Sequence, residues 1–436
     1  MKENFILLAY DFPPFNSGGN QRASRFANYF FRNNYNPIVV TVNHAVCNSE
    51  RSDISLLKDL PTELKVIRTP IKKKSFLTKL IDTGYLFHPD SIAYRWDVYL
   101  KTALDEAIKK YNPRFALITV PPFSLLKFST RYFREKKIPF ILDLRDPLSF
   151  WVGSPFPSKI HYNFLKKIEI NSILNSSLTL VVTPEMKNIY ERIYQNKTLN
   201  IKVIYNSYDS LNDNHRINAE KRFTIGYFGS FYFDPYSARL KDSPWWEKKP
   251  YQYLQYTPFK QDWKYRSPFY FFKALNVLLS KHPEYTKKIK VVFAGTKPDW
   301  FDNMVGVFGL SNIVTHRGFL PKESIKELEK ECDAFLITSS KFIGAKDYCI
   351  AGKTYEYFQN SKPIIAFVTE GDQKWIVENS GLGLVCDPDN LQGSIKKLEG
   401  LIVRKNMEFI PDYIFLDQFK TKNQLNKLHN LIQKLY

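Results

Sequence analysis

The stretch FILLAYDFPPFNSGGNQRASRF, residues 5–26, changes character twice within a short length. It begins with an apolar run, Phe5 to Tyr10, which is typical of a buried β-strand, and the prolines that follow end the strand. The adjacent glycines Gly18 and Gly19 then precede a segment whose apolar residues recur at helical spacing. A strand, a glycine turn and a helix in this order are typical of the first unit of a parallel α/β domain.

The same alternation runs through the rest of the chain. Short β-branched or apolar runs predict strands, and helix-period segments separate most of them. The predicted strands lie at 5–10, 38–42, 115–120, 140–144, 178–182 and 201–205, and again at 224–228, 290–295, 312–316, 334–338, 363–367 and 382–386. We therefore predict an α/β protein of two Rossmann-like, doubly wound domains that face a ligand-binding cleft.

Composition suggests where the domains begin and end. We predict an N-terminal domain over 1–206, a polar linker over 207–221 and a C-terminal domain over 222–402. Residues 403–436 are expected to form a helical segment that packs back on the N-terminal domain. An insertion at 231–268, dense in Tyr, Trp and Lys, is either a decorated surface loop or an interfacial patch that meets an anionic membrane.

Charge and cysteine usage narrow the classes of protein. The 436 residues carry a net charge of +20, which favours polyanionic partners such as phosphorylated substrates, an anionic membrane or nucleic acid, unless it reflects compositional bias. The four cysteines are scattered and no zinc motif is present, so we expect no metal site and a reducing compartment. Without a signal-peptide pattern or a long apolar span, we expect a cytoplasmic protein, peripheral at most on the inner face of the plasma membrane.

Two motifs of the first half carry candidate chemistry. The glycines of NSGGNQR let a ligand approach the backbone at a helix N-terminus, which suits a phosphate, although a bare turn would also use them. Asp143, Arg145 and Asp146 follow a predicted strand in FILDLRDP, where charged side chains face the crevice of an open sheet. The alternative for these three residues is a local ion pair that caps the strand.

The second half carries a third motif, AGKTYEYFQNSKPIIAF, at residues 351–367. Lys353 lies at a predicted helix start, where a cation and the helix dipole suit a phosphate. Glu356 follows one turn later and can accept hydrogen bonds from ribose hydroxyls. The alternative is that Glu356 caps the helix and Lys353 is a solvated surface residue.

Taken in order, these segments resemble a known family. YDFPPFNSGGNQR, PPFSLL, DLRDP, VIYNSYD, IGYFGS and GKTYEYFQNSKPIIA are similar to the corresponding segments of family 4-type (group 1) glycosyltransferases, in the branch that builds bacterial surface polysaccharides. The resemblance implies the GT-B fold, in which two Rossmann-like domains face a cleft. It implies that the domain over 1–206 binds the acceptor and that the domain over 222–402 binds the nucleotide sugar. It also implies metal-independent transfer of a sugar from a nucleotide sugar, usually with retention at the anomeric carbon.

The resemblance assigns roles to single residues. Glu356 matches the ribose-binding Glu, Lys353 matches a position beside the diphosphate, and Arg266 resembles the basic residue that neutralises the diphosphate. Gly18 and Gly19 would face the diphosphate from the first domain, and Gly229 of IGYFGS would lie on the donor side. Many relatives carry a second Glu at the position of Tyr348, beside Asp347. The predicted catalytic residues are Asp146 foremost, then Asp143 and Arg145.

These observations predict a hexosyltransferase that moves a sugar to a lipid-linked or polysaccharide acceptor in cell-surface glycan synthesis. It would need no cofactor beyond its nucleotide-sugar co-substrate, for which a UDP-sugar is favoured. Alternatives on the same scaffold are a nucleotide-sugar epimerase and a sugar phosphorylase. A non-enzymatic polyanion-binding protein is favoured by charge alone, and no nucleic-acid-binding motif supports a nucleic-acid partner.

Overall fold

The computed structural model describes residues 2–43, 52–83, 86–151, 155–211, 222–231, 234–235, 246, 253–403 and 408–436. The chain divides into two compact units. The first comprises Met1–Asn206, Lys249–Pro258 and Gln424–Tyr436, and the second comprises Ser207–Lys248 and Phe259–Asn423.

The first unit is built on a seven-stranded parallel sheet. Its strands are β1 (Glu3–Leu8), β2 (Tyr35–Val42), β3 (Lys65–Thr69), β4 (Phe115–Val120), β5 (Phe140–Leu144), β6 (Leu178–Val181) and β7 (Ile201–Val203), and they lie in the order β3-β2-β1-β4-β5-β6-β7. The order reverses between β1 and β4, which defines the topological switch point where such sheets bind ligands.

Six helices connect these strands. They are α1 (Asn20–Arg32), α2 (Phe76–Asp82), α3 (Ile92–Tyr111), α4 (Ser124–Glu135), α5 (Lys159–Asn175) and α6 (Pro184–Ile193). The helix predicted after the paired glycines is α1, which buries Ala23, Phe26, Ala27 and Phe30. Phe30 contacts Phe5 of β1 edge to face at 5.5 Å, and Phe5 stacks on Phe115 of β4 at 4.9 Å. These contacts join α1 to the centre of the sheet.

The second unit repeats the plan. Its strands are β8 (Phe223–Phe228), β9 (Lys260–Asp262), β10 (Ile289–Ala294), β11 (Val314–His316), β12 (Ala334–Thr338), β13 (Lys341–Ile343), β14 (Ile364–Phe367) and β15 (Gly383–Cys386). Six of them form a parallel sheet in the order β11-β10-β8-β12-β14-β15, with its switch point between β8 and β12. The two parallel sheets confirm the predicted fold class.

The remaining helices follow in the second half of the chain. They are α7 (Phe269–Lys281), α8 (Phe301–Val307), α9 (Lys322–Glu331), α10 (Gly352–Gln359), α11 (Asp372–Asn379), α12 (Leu391–Ile402), α13 (Tyr413–Asp417) and α14 (Thr421–Leu435). Leu425, Leu428 and Ile432 of α14 belong to the hydrophobic core of the first unit. Within the part of the chain that the structure describes, no helix is long and apolar enough to span a bilayer.

Three strands were not predicted. Strand β3, KVIRT, is a short edge strand in which two charged residues flank a Val-Ile pair, and β9 and β13 are only three residues long. The latter two pair antiparallel, with Phe342 opposite Gln261, and form a separate two-stranded sheet. Strands this short are stabilised by their tertiary partner, so the sequence pattern alone does not reveal them.

The insertion predicted at 231–268 divides between the two units. Phe156 and Tyr256 exchange backbone hydrogen bonds of 2.9 and 3.0 Å, and the Tyr256 ring lies 4.7 Å from that of Tyr162. These contacts place Tyr256 in the first unit, although we predicted the whole insertion to belong to the C-terminal domain. Trp263 directly follows β9 and is buried, so its ring is not available to a membrane. Trp246 is two-thirds exposed, and Trp245, Lys241, Lys248 and Lys249 lie outside the described residues.

The start of the predicted linker is also part of a folded unit. The Tyr208 side chain is buried, and its hydroxyl donates to the Leu416 carbonyl at 2.8 Å. The Tyr208 carbonyl accepts from the backbone N–H of Thr421 at 2.7 Å. Residues 212–221 of the predicted linker lie outside the described residues.

Candidate active site

Two glycines shape the carboxyl edge of the second sheet. Gly229 after β8 and Gly295 after β10 have φ values of +148° and +139°, which disfavour other residues. The Gly229 N–H donates to the Ala294 carbonyl at 2.7 Å, and a Cβ on Gly295 would lie 2.4 Å from the Gly229 carbonyl oxygen. The two loops can approach this closely only because both residues lack a side chain. Bare backbone therefore lines the edge beside the switch point.

Lys353 of α10 lies over this glycine edge. Its Nζ is 3.5 Å from the centroid of the Tyr227 ring, and a Cβ on Gly229 would lie 2.5 Å from that Nζ. The pKa of Lys353 is lowered to about 7, chiefly by burial and to a smaller extent by the positive charge of Arg266. The negative charge of Glu356 opposes this shift. The structure thus brings together two residues of the predicted donor site, Gly229 and Lys353.

Arg266 is the second cation of this cluster. It lies between β9 and α7, where its N–H donates to the Trp263 carbonyl at 3.2 Å and its carbonyl accepts from Thr338 Oγ1 at 3.1 Å. Burial disfavours its charged form, but the neighbouring Cys349 and Asp347 outweigh that effect and raise the pKa of Arg266. The short β9–β13 sheet and the end of β12 therefore hold Arg266 close to Lys353.

The carboxylate that balances Arg266 belongs to Asp347. It accepts from the backbone N–H groups of Cys349 at 2.9 Å and Ser340 at 3.2 Å. Burial raises the pKa of Asp347 to about 7, although these hydrogen bonds and Arg266 oppose the shift. Sequence reasoning noted Asp347 only as the neighbour of Tyr348, whose ring packs in the interior 5.1 Å from Phe342. The sequence did offer a signal for Asp347, because it is an acidic residue next to the position at which many relatives carry a Glu.

Helix α10 presents its N-terminus beside these cations. Its N-cap residue, Ala351, has no polar side chain, so the first turn is tied down instead by Gln373 of α11. Gln373 Oε1 accepts from the Ala351 N–H at 2.8 Å and from Thr354 Oγ1 at 3.2 Å. The positive end of the helix dipole therefore adds to the charges of Arg266 and Lys353, which is the arrangement that binds phosphates.

Glu356 lies one turn into α10, partly exposed. Its charge favours the protonated form of Lys353 and disfavours the charged form of Glu329 on α9. Burial and then Glu356 raise the pKa of Glu329 to about 7. The proximity of Glu356 to Lys353 is thus observed, while its role towards a ribose stays a prediction.

In the first unit, Asp143 at the end of β5 forms a buried ion pair with Arg22 of α1. Arg22 Nη2 and Nε lie 2.7 and 2.9 Å from Asp143 Oδ1, and both side chains are almost inaccessible to solvent. Arg22 Nη1 also donates to the Tyr205 carbonyl at 3.0 Å. Because its carboxylate is enclosed by Arg22, Asp143 holds α1 on the sheet, and we withdraw its predicted contact with an acceptor. Sequence reasoning missed Arg22, although it stands in the quoted NSGGNQR.

Arg145 lies against the glycine loop. Its Nη2 donates to the Pro121 carbonyl at 3.0 Å, and a Cβ on Gly19 would lie 2.5 Å from its Nη1. No described residue accepts a hydrogen bond from its buried Nε. A guanidinium beside the N-terminus of α1 adds to the positive end of that helix, which favours an anion there. By contrast, a Cβ on Gly18 would meet no protein atom within 4 Å.

A buried glutamate orders the loop that carries Arg145 and Asp146. Glu169 of α5 accepts from the N–H groups of Leu148 at 2.7 Å and Ser149 at 3.0 Å. It also accepts from the Tyr190 hydroxyl at 2.7 Å, and burial raises its pKa. Asp146 is partly exposed and lies two residues before Leu148, the first residue that Glu169 holds. No sequence signal distinguished Glu169 from a surface residue of its helix.

Part of the chain matches a known protein family. Residues 263–408, which include Arg266, Lys353 and Glu356, match the family of glycosyl transferases group 1. Among curated protein sequences, no significant relative of the chain is found. Within the described part of the chain, no three His, Cys, Asp or Glu side chains are grouped as a metal site.

Solved structures share the fold along the whole chain at low sequence identity. Sucrose-phosphate synthase from Thermosynechococcus elongatus is 10% identical with a TM-score of 0.63, covering 100% of this chain and 99% of its own. HepE of Anabaena, solved in complex with UDP, is 14% identical with a TM-score of 0.58, covering 99% of this chain and 100% of its own. The lipopolysaccharide outer core galactosyltransferase WaaB is 13% identical with a TM-score of 0.56, covering 100% of both chains.

The family match and the two parallel sheets identify the class of protein. Residues 263–408 match the group 1 glycosyl transferases, so this part of the chain is a glycosyltransferase domain, and the chain has the two Rossmann-like domains of the GT-B fold. The match confirms the resemblance to group 1 glycosyltransferases and the prediction of a glycosyltransferase. Family 4, the surface-polysaccharide branch and transfer of a hexose stay predictions.

Proposed function

We propose that this glycosyltransferase moves a sugar from a UDP-sugar to a lipid-linked or polysaccharide acceptor in cell-surface glycan synthesis, with retention at the anomeric carbon. The observation that carries the proposal is the position of Lys353, in the first turn of α10, over the Gly229 edge, with Arg266 close enough to lower its pKa. The fold of HepE, solved with UDP, and of the lipopolysaccharide galactosyltransferase supports the choice of base and acceptor class.

The chemistry follows from charge. As the bond between the anomeric carbon and the β-phosphate oxygen breaks, negative charge grows on the diphosphate. Two fixed cations and a helix N-terminus stabilise that charge more in the transition state than in the ground state, and this difference accelerates the reaction. The same groups neutralise the charge that a metal ion would otherwise balance, so we propose a metal-independent reaction.

The acceptor hydroxyl bonds to the anomeric carbon on the face from which the diphosphate departs, its proton passes to the departing β-phosphate oxygen, and the new glycosidic bond replaces the bond to phosphate with retention. We propose that Asp146 lies beside the acceptor, because it stands on the loop that Glu169 orders at the end of β5. Lipid-linked acceptors are presented at a membrane surface. The protein would therefore act as a peripheral protein on the inner face of the plasma membrane.

A nucleotide screen followed by matched variants tests the donor site. UDP should stabilise the protein in a thermal-shift assay more than GDP, ADP, CMP or dTDP, since binding to the native state alone raises stability by mass action. Lys353→Ala and Arg266→Ala should lower kcat/KM about 100-fold or more, as expected when a group that stabilises transition-state charge is removed. Lys396→Ala, an exposed lysine of α12, is the control and should leave kcat/KM unchanged.

Glu356→Gln addresses ribose recognition. Loss of a charge-assisted hydrogen bond should weaken UDP binding by about 1.5–3 kcal/mol, measured by calorimetry. Equal affinities of wild type and Glu356→Gln for UDP would contradict the ribose assignment.

The two cation variants have their own contradicting outcome. If Lys353→Ala and Arg266→Ala both keep the wild-type kcat/KM, the diphosphate binds elsewhere.

A further inference from the structure

The first unit exposes apolar side chains where a soluble surface normally carries polar ones. Helix α2 buries Thr78 and Ile81 and turns Phe76, Leu77 and Leu80 outward. Phe76 is 78% exposed. An amphipathic helix on a protein surface ordinarily turns its apolar side inward, so the outward stripe of α2 indicates an interaction site.

Two further elements continue the exposed apolar surface. On α3, Tyr94 and Val98 are exposed and stand four residues apart, so they share one side of the helix. On α5, Ile160 and Phe164 have the same spacing, and Ile160 is 71% exposed. Phe87, in the loop between α2 and α3, is also exposed.

Direct contacts hold these pieces together. Lys72 and Arg95 of α3 are joined by two hydrogen bonds, of 3.1 and 2.7 Å. The Phe87 ring stacks on His161 of α5 at 4.2 Å and meets Phe164 edge to face at 5.2 Å. A further hydrogen bond joins the end of α2 to the start of α3, from the Ser91 N–H to Asp82 at 2.7 Å. We call this surface, formed by residues 72–82, Phe87, the first two turns of α3 and residues 159–167 of α5, the apolar-basic face.

Lysines surround the apolar side chains. Lys72, Lys73, Lys74 and Lys79 are exposed within the stretch KKKSFLTKL, and Lys159 and Lys167 are exposed on α5. Lys74 pairs with Asp82 at 2.8 Å. Outward-facing Phe, Leu and Ile among lysines form the pattern with which amphipathic helices bind the interface of anionic membranes.

We propose that the apolar-basic face docks the first unit on an anionic lipid bilayer. The proposal names the surface through which the enzyme reaches a membrane, and in that respect it rests on the proposed lipid-linked acceptor. Each of the two signals is weak alone, but apolar insertion and lysine attraction together suffice for reversible peripheral binding. A second copy of the chain is a poor occupant, because an isologous contact would set these lysines against themselves in a protein of net charge +20.

Vesicle co-sedimentation tests the proposal without any donor or acceptor. The full chain should bind vesicles of phosphatidylcholine with 30% phosphatidylglycerol, and binding should weaken as salt rises from about 0.1 M to about 1 M, because the Debye length falls from about 10 to about 3 Å. Phe76→Ser combined with Ile160→Ser should lower the partition coefficient about tenfold or more. Lys72→Glu combined with Lys73→Glu should lower it about tenfold or more at low salt, but little at high salt.

Matched controls come from the second unit. Phe319 is 68% exposed and Lys322 and Lys396 are exposed, so Phe319→Ser and the pair Lys322→Glu with Lys396→Glu change the same chemistry elsewhere. Unchanged binding in these controls supports the proposal, as does retention of the wild-type melting temperature in every variant.

Three results would overturn the proposal. The first is that the face variants bind vesicles as well as the controls do. The second is that the wild type binds vesicles of phosphatidylcholine alone as well as anionic vesicles. The third is that the face variants change the mass of the protein in solution but not its binding to vesicles. The last result would assign the face to self-association. The vesicle assay needs no turnover, so it is independent of the proposed function. Loss of vesicle binding with intact UDP binding and sugar transfer would refute the membrane face alone. Intact vesicle binding with loss of UDP binding would refute the donor site alone.

Discussion

At the scale of single residues, the environment of Lys353 makes its charge sensitive to pH. Burial lowers the pKa of Lys353 to about 7 in the structure without a nucleotide. A bound diphosphate would favour the protonated form and raise that pKa. Above pH 7, binding must therefore be accompanied by uptake of a proton, and affinity is lost as pH rises.

We expect the affinity for UDP to fall by up to about tenfold per pH unit above pH 7, until the pKa of the complex is reached. Calorimetry between pH 6 and pH 9, in buffers of different ionisation enthalpy, measures both the affinity and the proton uptake. Lys353→Arg should remove the dependence, because arginine stays charged throughout this range. A pH-independent affinity of the wild type would show that Lys353 does not contact the diphosphate.

Asp143 provides a second prediction at this scale, on stability. Asp143→Ala leaves the buried Arg22 without its carboxylate, and loss of one partner of a buried pair typically destabilises by about 3–5 kcal/mol. Urea denaturation should show this loss. The control is Asp302→Ala, since the pair of Asp302 with Lys297 is largely exposed and an exposed pair contributes at most about 1 kcal/mol. Wild-type stability of Asp143→Ala with a loss of transfer would restore the acceptor role to Asp143.

At the scale of elements, the strand–glycine–helix unit raises the question of why two glycines stand together. Gly19 lies against the Arg145 guanidinium, so a side chain there would displace Arg145. Gly18 meets no protein atom within 4 Å where a Cβ would be, and its φ is not in the left-handed region. The protein itself therefore does not require glycine at 18, and we propose that the donor approaches the backbone there.

This gives a clean test of the predicted donor contact. The urea concentration at the unfolding midpoint of Gly18→Ala should equal that of the wild type or lie slightly above it. The kcat/KM for transfer should nevertheless fall about tenfold. Gly306→Ala, another open position, lies on α8 and should leave transfer unchanged. If Gly18→Ala transfers sugar as fast as the wild type, the donor does not reach this loop.

At the scale of the whole molecule, each unit has a hydrophobic core of its own. One core contains β1, β4 and α14, and the other contains β8, β10 and α7. Units with separate cores are expected to open independently. Nucleotide binding should therefore slow amide hydrogen exchange in the second unit, close to the nucleotide, and not in the first unit.

We expect UDP to slow amide hydrogen exchange in α10, in the loop after β8 and around Arg266. At 100 times the dissociation constant, UDP should stabilise the binding-competent unit by about 2.7 kcal/mol. Hydrogen exchange with mass spectrometry measures both effects, and α6 of the first unit serves as the internal reference. Protection that spares α10 and the Gly229 loop would contradict the donor site.

Much of this protein was determined by local sequence pattern alone. Strands β4, β5 and β12 begin and end as predicted, because a continuous apolar run buried on both faces of a parallel sheet needs no distant partner to be recognised. Lys353 and Glu356 could be named as candidates for a similar reason, since a helix start suited to a phosphate and the residue one turn later are local features. The family resemblance rested on the same segments.

Only the tertiary structure decided which of the candidate residues act together. Asp143 could be a catalytic carboxylate or half of an ion pair until Arg22, 121 residues away, was seen to enclose it. The surroundings of Asp347, of Glu169 and of the apolar-basic face likewise could not be predicted, because they are assembled from elements far apart in the chain. Periodicity reports whether a residue is buried, whereas the charge, the hydrogen-bond partners and the exposed neighbours of that residue depend on contacts that only the folded chain creates.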